Sequence, residues 1–259
     1  MAVAGIDVGS QSTKVVLLEG DRILAAVTLN TGESGEIEAR RAMDEALRQA
    51  RLKLEDLKGV VSTGAGRMSV PFARKHRSTV SCLARGARFF YPRARTVLDA
   101  GAETSTAIRL SADGTVEDAA GNDKCAAGTG VFLDAVSRML RIPLSELGAE
   151  SLRATDVETI SSTCAVFAES EVVSLVHGDP PVPVANILAG IHDWMAARLF
   201  GLAQRVRMQP DVVMSGGVSR NIGIIRAMET KLGRQVRVPE EPQITGALGA
   251  ALVAQEDLQ

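Results

Sequence analysis

Asp7 and Asp99 stand 92 positions apart, and each opens the same short pattern of Asp-x-Gly followed by small polar residues. The two copies read "DVGSQSTK" from 7 to 14 and "DAGAETST" from 99 to 106. An aspartate at the end of a buried strand can hold a magnesium ion, usually through the ion's waters. The glycine lets the backbone come close to a ligand, and successive N–H groups in a tight hairpin can cradle phosphate oxygens. In the first copy Gly9, Ser10, Ser12, Thr13 and Lys14 would supply that backbone, hydroxyl donors and a cation; in the second, Gly101 would supply the close backbone approach. A lone Asp-x-Gly is often only a turn after a strand. Duplication changes the weighing, because one site built from two facing copies needs an aspartate and a close backbone approach from each.

Two further stretches could touch a nucleoside. In "DVVMSGGVSRN", 211 to 221, an apolar strand runs into Gly216 and Gly217 and then into a helix near Asn221, a strand-to-helix glycine turn able to pack flat on a base or sugar. In "PQITGALGAALVA", Gln243 and Gly246 are candidates for the same ligand, while Gly249 reads equally well as a tight helix–helix contact. The pattern G-x-x-x-x-G-K-[ST] is absent, which excludes a P-loop.

The elements that must position these groups follow from the pattern. Residues 3–29 read as strand, glycine turn, strand, "EGD" turn, strand, and the stretch from residue 96 repeats that meander. Helical stretches follow each copy, "IEARRAMDEALRQARL" and "GVFLDAVSRML". A repeat of about 90 residues is too long for a solenoid unit. It predicts two homologous α/β domains, 1–94 and 95–259, facing each other across a cleft. These motifs resemble the phosphate and adenosine motifs of the acetate kinase, sugar kinase, heat-shock chaperone and actin superfamily, whose two domains close on a magnesium nucleotide.

Composition narrows the classes. A chain of 259 residues, 46% hydrophobic and 23% charged, forms a core rather than a disordered polymer. A formal charge of −2, one Trp and one Tyr give no reason to expect nucleic acid. No apolar run approaches a membrane span, and "MAVAGIDVGS" lacks the regions of a secretory signal, so the expected location is the cytoplasm, away from membranes.

Three cysteines are too few for a disulfide framework. Cys125 in "GNDKCAAGTG" and Cys164 in "SSTCAVFAESEV" share a context: small polar residues, the thiol, then a helical pattern. Near a helix N-terminus the dipole favours thiolate. Either cysteine could be a small buried filler, a nucleophile or a ligand. His76, His177 and His192 have no triad spacing relative to them, which weakens the nucleophile. Two thiolates make half of a four-ligand zinc or 4Fe–4S site, which a twofold dimer would complete.

"NDKCAAGTG", followed about 40 residues later by "SSTCAVFAESEV", closely resembles the activator ATPases of 2-hydroxyacyl-CoA dehydratases, which share a family with the ATP-binding subunits of benzoyl-CoA reductase. "GIDVGSQSTK", "SGGVSRN" and "GALGAAL" fit that family in order. The resemblance implies Cys125 and Cys164 as ligands of one 4Fe–4S cluster shared by a homodimer, ATP or ADP with Mg2+ in each subunit, and Asp7 and Asp99 at the phosphates. It further implies a low-potential electron passed to an acyl-CoA dehydratase or reductase partner, with ferredoxin or flavodoxin as donor. Cys82 matches a segment without a ligand role. The family's second phosphate motif reads D-I-G-G-Q-D, whereas here Ala102, Glu103 and Thr104 stand at three of its positions. Glu103 could orient water or act as a base, and its charge also repels phosphate. Similarly altered loops occur in one of the paired ATP-binding chains of benzoyl-CoA reductase, which makes a heteromeric assembly the alternative. A sugar or acyl kinase of the same fold is the alternative from another class.

Overall fold

A computed structural model of the chain describes residues 1–32, 34–122 and 129–258. Two compact units emerge, Met1–Val97 with Leu110–Glu117 and Pro239–Gln259, and Leu98–Arg109 with Asp118–Val238. The chain thus leaves the first unit three residues beyond the predicted boundary at 94, and two later segments return to it.

In the first unit, β1 (Val3–Val8), β2 (Ser12–Glu19) and β3 (Arg22–Asn30) form the expected meander, with β1/β2 and β2/β3 antiparallel. Helix α1 (Gly35–Ala50) follows, then β4 (Val60–Thr63), β5 (Lys75–His76) and α2 (Thr79–Phe90). The sheet order is β3-β2-β1-β4-β5, with β1/β4 and β4/β5 parallel. Alternation along β1 divides its side chains. Ala4, Ile6 and Val8 face a core that holds Ala39, Ala42, Met43, Ala46 and Leu47 of α1, at the i, i+3, i+4, i+7, i+8 spacing of one helical face. Val3 lies in the core on the other side.

That other side holds α8 (Thr245–Glu256). Its run of Gly and Ala lets backbone meet backbone. A Cβ on Gly5 would overlap Ala247 O and Ala251 N, one on Gly86 of α2 would overlap Thr245 O, and one on Gly249 would overlap Cys82 O. Gly249 therefore does serve a tight helix–helix contact, and the same docking fixes the first turn of α8 beside Asp7.

The second unit's sheet has the order β8-β7-β6-β9, from β6 (Thr96–Ala100), β7 (Ser105–Leu110), β8 (Val116–Asn122) and β9 (Val212–Ser215). Its core gathers α3 (Gly130–Leu140), α5 (Ala165–Val176), α6 (Val184–Arg205) and α7 (Ile222–Leu232), with the short α4 (Leu147–Ser151) alongside. The duplication runs deeper than the meander: β9 beside β6 repeats β4 beside β1. The architecture is the α/β fold of the superfamily the motifs resemble. No helix among the described residues is long and apolar enough to cross a membrane.

Candidate functional site

The first hairpin closes with Gly9 N–H donating to Ser12 O at 3.0 Å. Asp7 and Lys14 are register partners across it, with Lys14 Nζ 3.8 Å from Asp7 Oδ2 and donating to Ser12 O at 3.1 Å. Burial raises the Asp7 carboxyl above its ordinary range, and the nearby Lys14 charge offsets only part of that. Two glycines wall the carboxylate: a Cβ on Gly64 would overlap Asp7 Oδ1, and one on Gly246 would come within 3.1 Å of Oδ2. Gly64 also has φ +89°, a conformation that strongly favours glycine. Ser10 and Ser12 lie at the turn, exposed and half-buried. Thr13 sits elsewhere. It is fully buried, and its hydroxyl bonds Thr31 Oγ1 at 2.9 Å, which in turn donates to Gly9 O at 3.0 Å. Thr13 thus braces the turn from behind instead of pointing into it.

The second hairpin repeats the first in backbone. Gly101 N–H donates to Thr104 O at 2.9 Å. Asp99 Oδ1 accepts from Ser215 Oγ at 2.8 Å. Gly216, with φ +85°, packs where a Cβ would overlap Ala100 O, as Gly64 packs on Val8 O. Its support differs, however: Gly101 O and Ala102 O accept from Gly130 N and Val131 N, both at 2.9 Å, so the loop is bonded to the first turn of α3. Glu103 and Thr104 are exposed on that loop.

Beyond Gly216, residues Gly217–Arg220 make a 3-10 turn and Asn221 caps α7, its Oδ1 accepting from Gly223 N at 2.9 Å and Ile224 N at 3.2 Å. Asn221 Nδ2 donates to His192 Nε2 at 3.1 Å. Burial drives the His192 imidazole down to about 4, so it is neutral and accepts. Both ends of the Asn221 amide are therefore engaged within the protein, and its effect on a ligand would pass through the shape of the 216–220 turn. Gln243 lies half-buried in the 3-10 turn Pro242–Ile244 that leads into Gly246.

Cys164 is a free, half-buried thiol at the N-cap of α5, with no cap bond from its side chain. The corner before it is tightly held. Glu171 accepts from Ser161 N (2.9 Å), Ser161 Oγ (2.8 Å), Ser162 N (3.0 Å) and Ser162 Oγ (2.5 Å). Partial burial raises the Glu171 carboxyl, but the Ser162 and Ser161 donors outweigh it and leave the group below its usual range. Cys125 lies outside the described residues, and among the described residues no group of three metal-ligating side chains gathers. Cys82 is buried, and burial pushes its thiol up to about 11, so it stays protonated.

The sequence reading missed Gly64 and Thr31. The strand ending "VVSTGAGR" carries the same strand-to-glycine signature as "VVMSGG", a signal that could have found Gly64. Thr31 carries no such signal.

Comparison with known proteins gives the family. The chain is 46% identical over 262 residues to an activator of lactoyl-CoA dehydratase from Anaerotignum propionicum, covering 100% of this chain and 99% of the relative. It is 36% identical to one of the component chains of benzoyl-CoA reductase from Thauera aromatica, covering 96% of this chain and 91% of the relative. Among solved structures it is similar to the activator of the 2-hydroxyisocaproyl-CoA dehydratase from Clostridium difficile with bound ADPNP, at TM-score 0.94 and 42% identity, covering 99% and 95%. A glucokinase of the ROK family from Streptomyces griseus, 15% identical at TM-score 0.61 over 99% of this chain and 100% of that one, shares the fold alone. The model of the BadF/BadG/BcrA/BcrD ATPase family matches residues 4–254, and the chain belongs to that family.

Proposed function

We propose that this chain is an ATP-dependent electron-transfer activator for a 2-hydroxyacyl-CoA dehydratase-like partner, acting as a homodimer. The observation that carries the reading is the duplicated hairpin with a glycine-walled or hydroxyl-held aspartate in each copy, in a chain that also presents Cys164 on a braced helix corner. Asp7 and Asp99 would hold Mg2+ through its waters, and the N–H groups after Gly9 and Gly101 would bind the phosphates of ATP or ADP. Lys14, beside Asp7, would balance phosphate charge. The glycine turn at Gly216 and Gly217, shaped by Asn221, would pack on the nucleoside, with Gln243 and Gly246 near the first hairpin. Hydrolysis would fall to water oriented at the 101–104 loop, where Glu103 is the exposed carboxylate.

Cys164 fits a cluster ligand by its chemistry, because its free thiol makes no cap bond and is only half-buried. Cys125 and Cys164 from two subunits would hold one 4Fe–4S cluster, and bound there it supplies one-electron chemistry at low potential. The chain's own task is to hold those thiols and to bind ATP more tightly in one conformation than in another. A ferredoxin or flavodoxin would be the electron donor.

A second reading, the ATP-binding component of a benzoyl-CoA reductase-type complex, is favoured by Ala102, Glu103 and Thr104 in the second hairpin. Anaerobic purification with iron, sulfide and mass analysis tests both. About four irons per two identical chains, lost in Cys125→Ala or Cys164→Ala, is the expected result. A cluster formed only with a second, different chain would favour the reductase reading. A colourless monomer that phosphorylates a small metabolite would overturn both.

A further inference from the structure

One line of contacts in the second unit joins the 101–104 hairpin to Cys164. Gly101 O and Ala102 O accept from Gly130 N and Val131 N at the start of α3. The next residue, Phe132, is fully buried and packs on Trp194 of α6, with ring centroids 5.2 Å apart and planes at 51°. Trp194 Nε1 donates to Ser162 O at 2.8 Å. Arg198, stacked over the Trp194 ring at 3.7 Å, donates to Thr163 O at 2.8 Å. Ser162 and Thr163 are the two residues before Cys164, and Glu171 locks Ser161 and Ser162 onto the second turn of α5. Trp194 therefore touches both the helix bonded to the hairpin and the corner that carries the thiol.

We infer that Trp194 is a positioning residue that couples the 101–104 hairpin to Cys164. The inference rests on the reading that the hairpin binds nucleotide phosphate. Ligand at the hairpin that shifts the first turn of α3 must move Phe132, because the core around it is close-packed and has no slack. The indole face meets that ring, and its N–H holds the corner by a directional bond. Glu171 and Arg198 make the corner stiff, so a displacement at Ser162 is passed on to Cys164 instead of being absorbed.

The test uses iron-free protein with all three cysteines reduced. The alkylation rate of Cys164 by N-ethylmaleimide, resolved by peptide mass spectrometry, is measured with saturating ADP and with a non-hydrolysable ATP analogue, with affinities from calorimetry. In the wild type the two nucleotides should give rates differing by about fivefold or more. Trp194→Phe keeps a ring on Phe132 but lacks the N–H, and should bring the ratio close to one with little change in either affinity. Phe132→Leu, entering from the other end, should do the same. A merely structural loosening would raise both rates and leave their ratio. An unchanged ratio in Trp194→Phe overturns the coupling, as does equal reactivity in a wild type that binds both nucleotides. Failure to bind either nucleotide would overturn the proposed function and the coupling with it, and calorimetry separates that outcome from the others.

Discussion

The two hairpins share a backbone and differ in what holds them. Gly9 N to Ser12 O and Gly101 N to Thr104 O are the same bond at 3.0 and 2.9 Å, and Gly64 and Gly216 cover Val8 and Ala100 in the same way. Yet Gly9 O is braced by the hydroxyl of Thr31, whereas Gly101 O takes an N–H from α3. The first copy is tied to a residue just past its own meander. The second is tied to a helix whose next residue is buried in the unit's core, so that loop cannot move without moving α3. Duplication of a phosphate-type turn has thus produced one anchored copy and one connected copy. The aspartates differ as well: Asp7 is desolvated beside a lysine, while Asp99 is held by the Ser215 hydroxyl.

The parallel can be broken most severely at the glycines. Gly64→Ala and Gly216→Ala each force a left-handed backbone and an overlap with a carbonyl oxygen, and each should cost roughly 3 kcal/mol or more in chemical denaturation. A cost confined to one of them would mean that the two turns are not equivalent.

Acid should separate the units by sign. His192 is neutral in the fold and titrates at about 4 against an ordinary 6.5, so the unfolded chain takes the proton first. Stability is lost as pH falls from 6.5 to 4, by up to roughly 3 kcal/mol, and His192→Gln should remove that slope. Asp7 behaves oppositely. Its raised folded value means that the fold is penalised as pH rises from the ordinary carboxylate value through the folded one. Asp7→Asn should therefore stabilise the ligand-free protein at neutral pH, a gain that fades as pH falls into the ordinary carboxylate range. Thermal melts across pH for both variants check the two signs.

Smaller effects sharpen the contrast between the supports. Asp99→Ala strands the Ser215 hydroxyl and should cost about 1–2 kcal/mol. Thr31→Val breaks the chain from Thr13 through Thr31 to Gly9 O and should cost about 1 kcal/mol, with hydrogen exchange rising at the first hairpin and not the second.

The meanders and the helices α1 and α3 are legible in the sequence because each carries its own local period and turn residues. The "GVFLDAVSRML" stretch is α3 from end to end. The strand-to-glycine signature at Gly64 is legible, but its role is not, because that depends on β4 lying parallel to β1, so that Thr63 pairs with Asp7. Thr31 follows from the β2/β3 register, in which Ser12 faces Asn30, and no local pattern announces it. Residue type alone points Thr13 at the ligand, and alternation along β2 instead turns it inward. Chain order sets α8 after β9, yet it docks on β1 and α2 because Gly5, Gly86 and Gly249 leave room for its backbone. The pairing of Cys125 with Cys164 rests on resemblance, since spacing alone completes no site. The corner at Ser161–Thr163 needs, besides Glu171, tertiary contacts from Trp194 and Arg198 across more than 30 positions.

The proposed activator role requires that nucleotide control the cluster proposed at Cys125 and Cys164. The decisive measurement is the rate at which a chelator strips iron from the anaerobically purified protein, with ADP and then with a non-hydrolysable ATP analogue bound. A rate at least about tenfold faster with one nucleotide than with the other is predicted, corresponding to a coupling of about 1.4 kcal/mol. Equal rates with both nucleotides bound, or a protein that carries no iron at all, would contradict it.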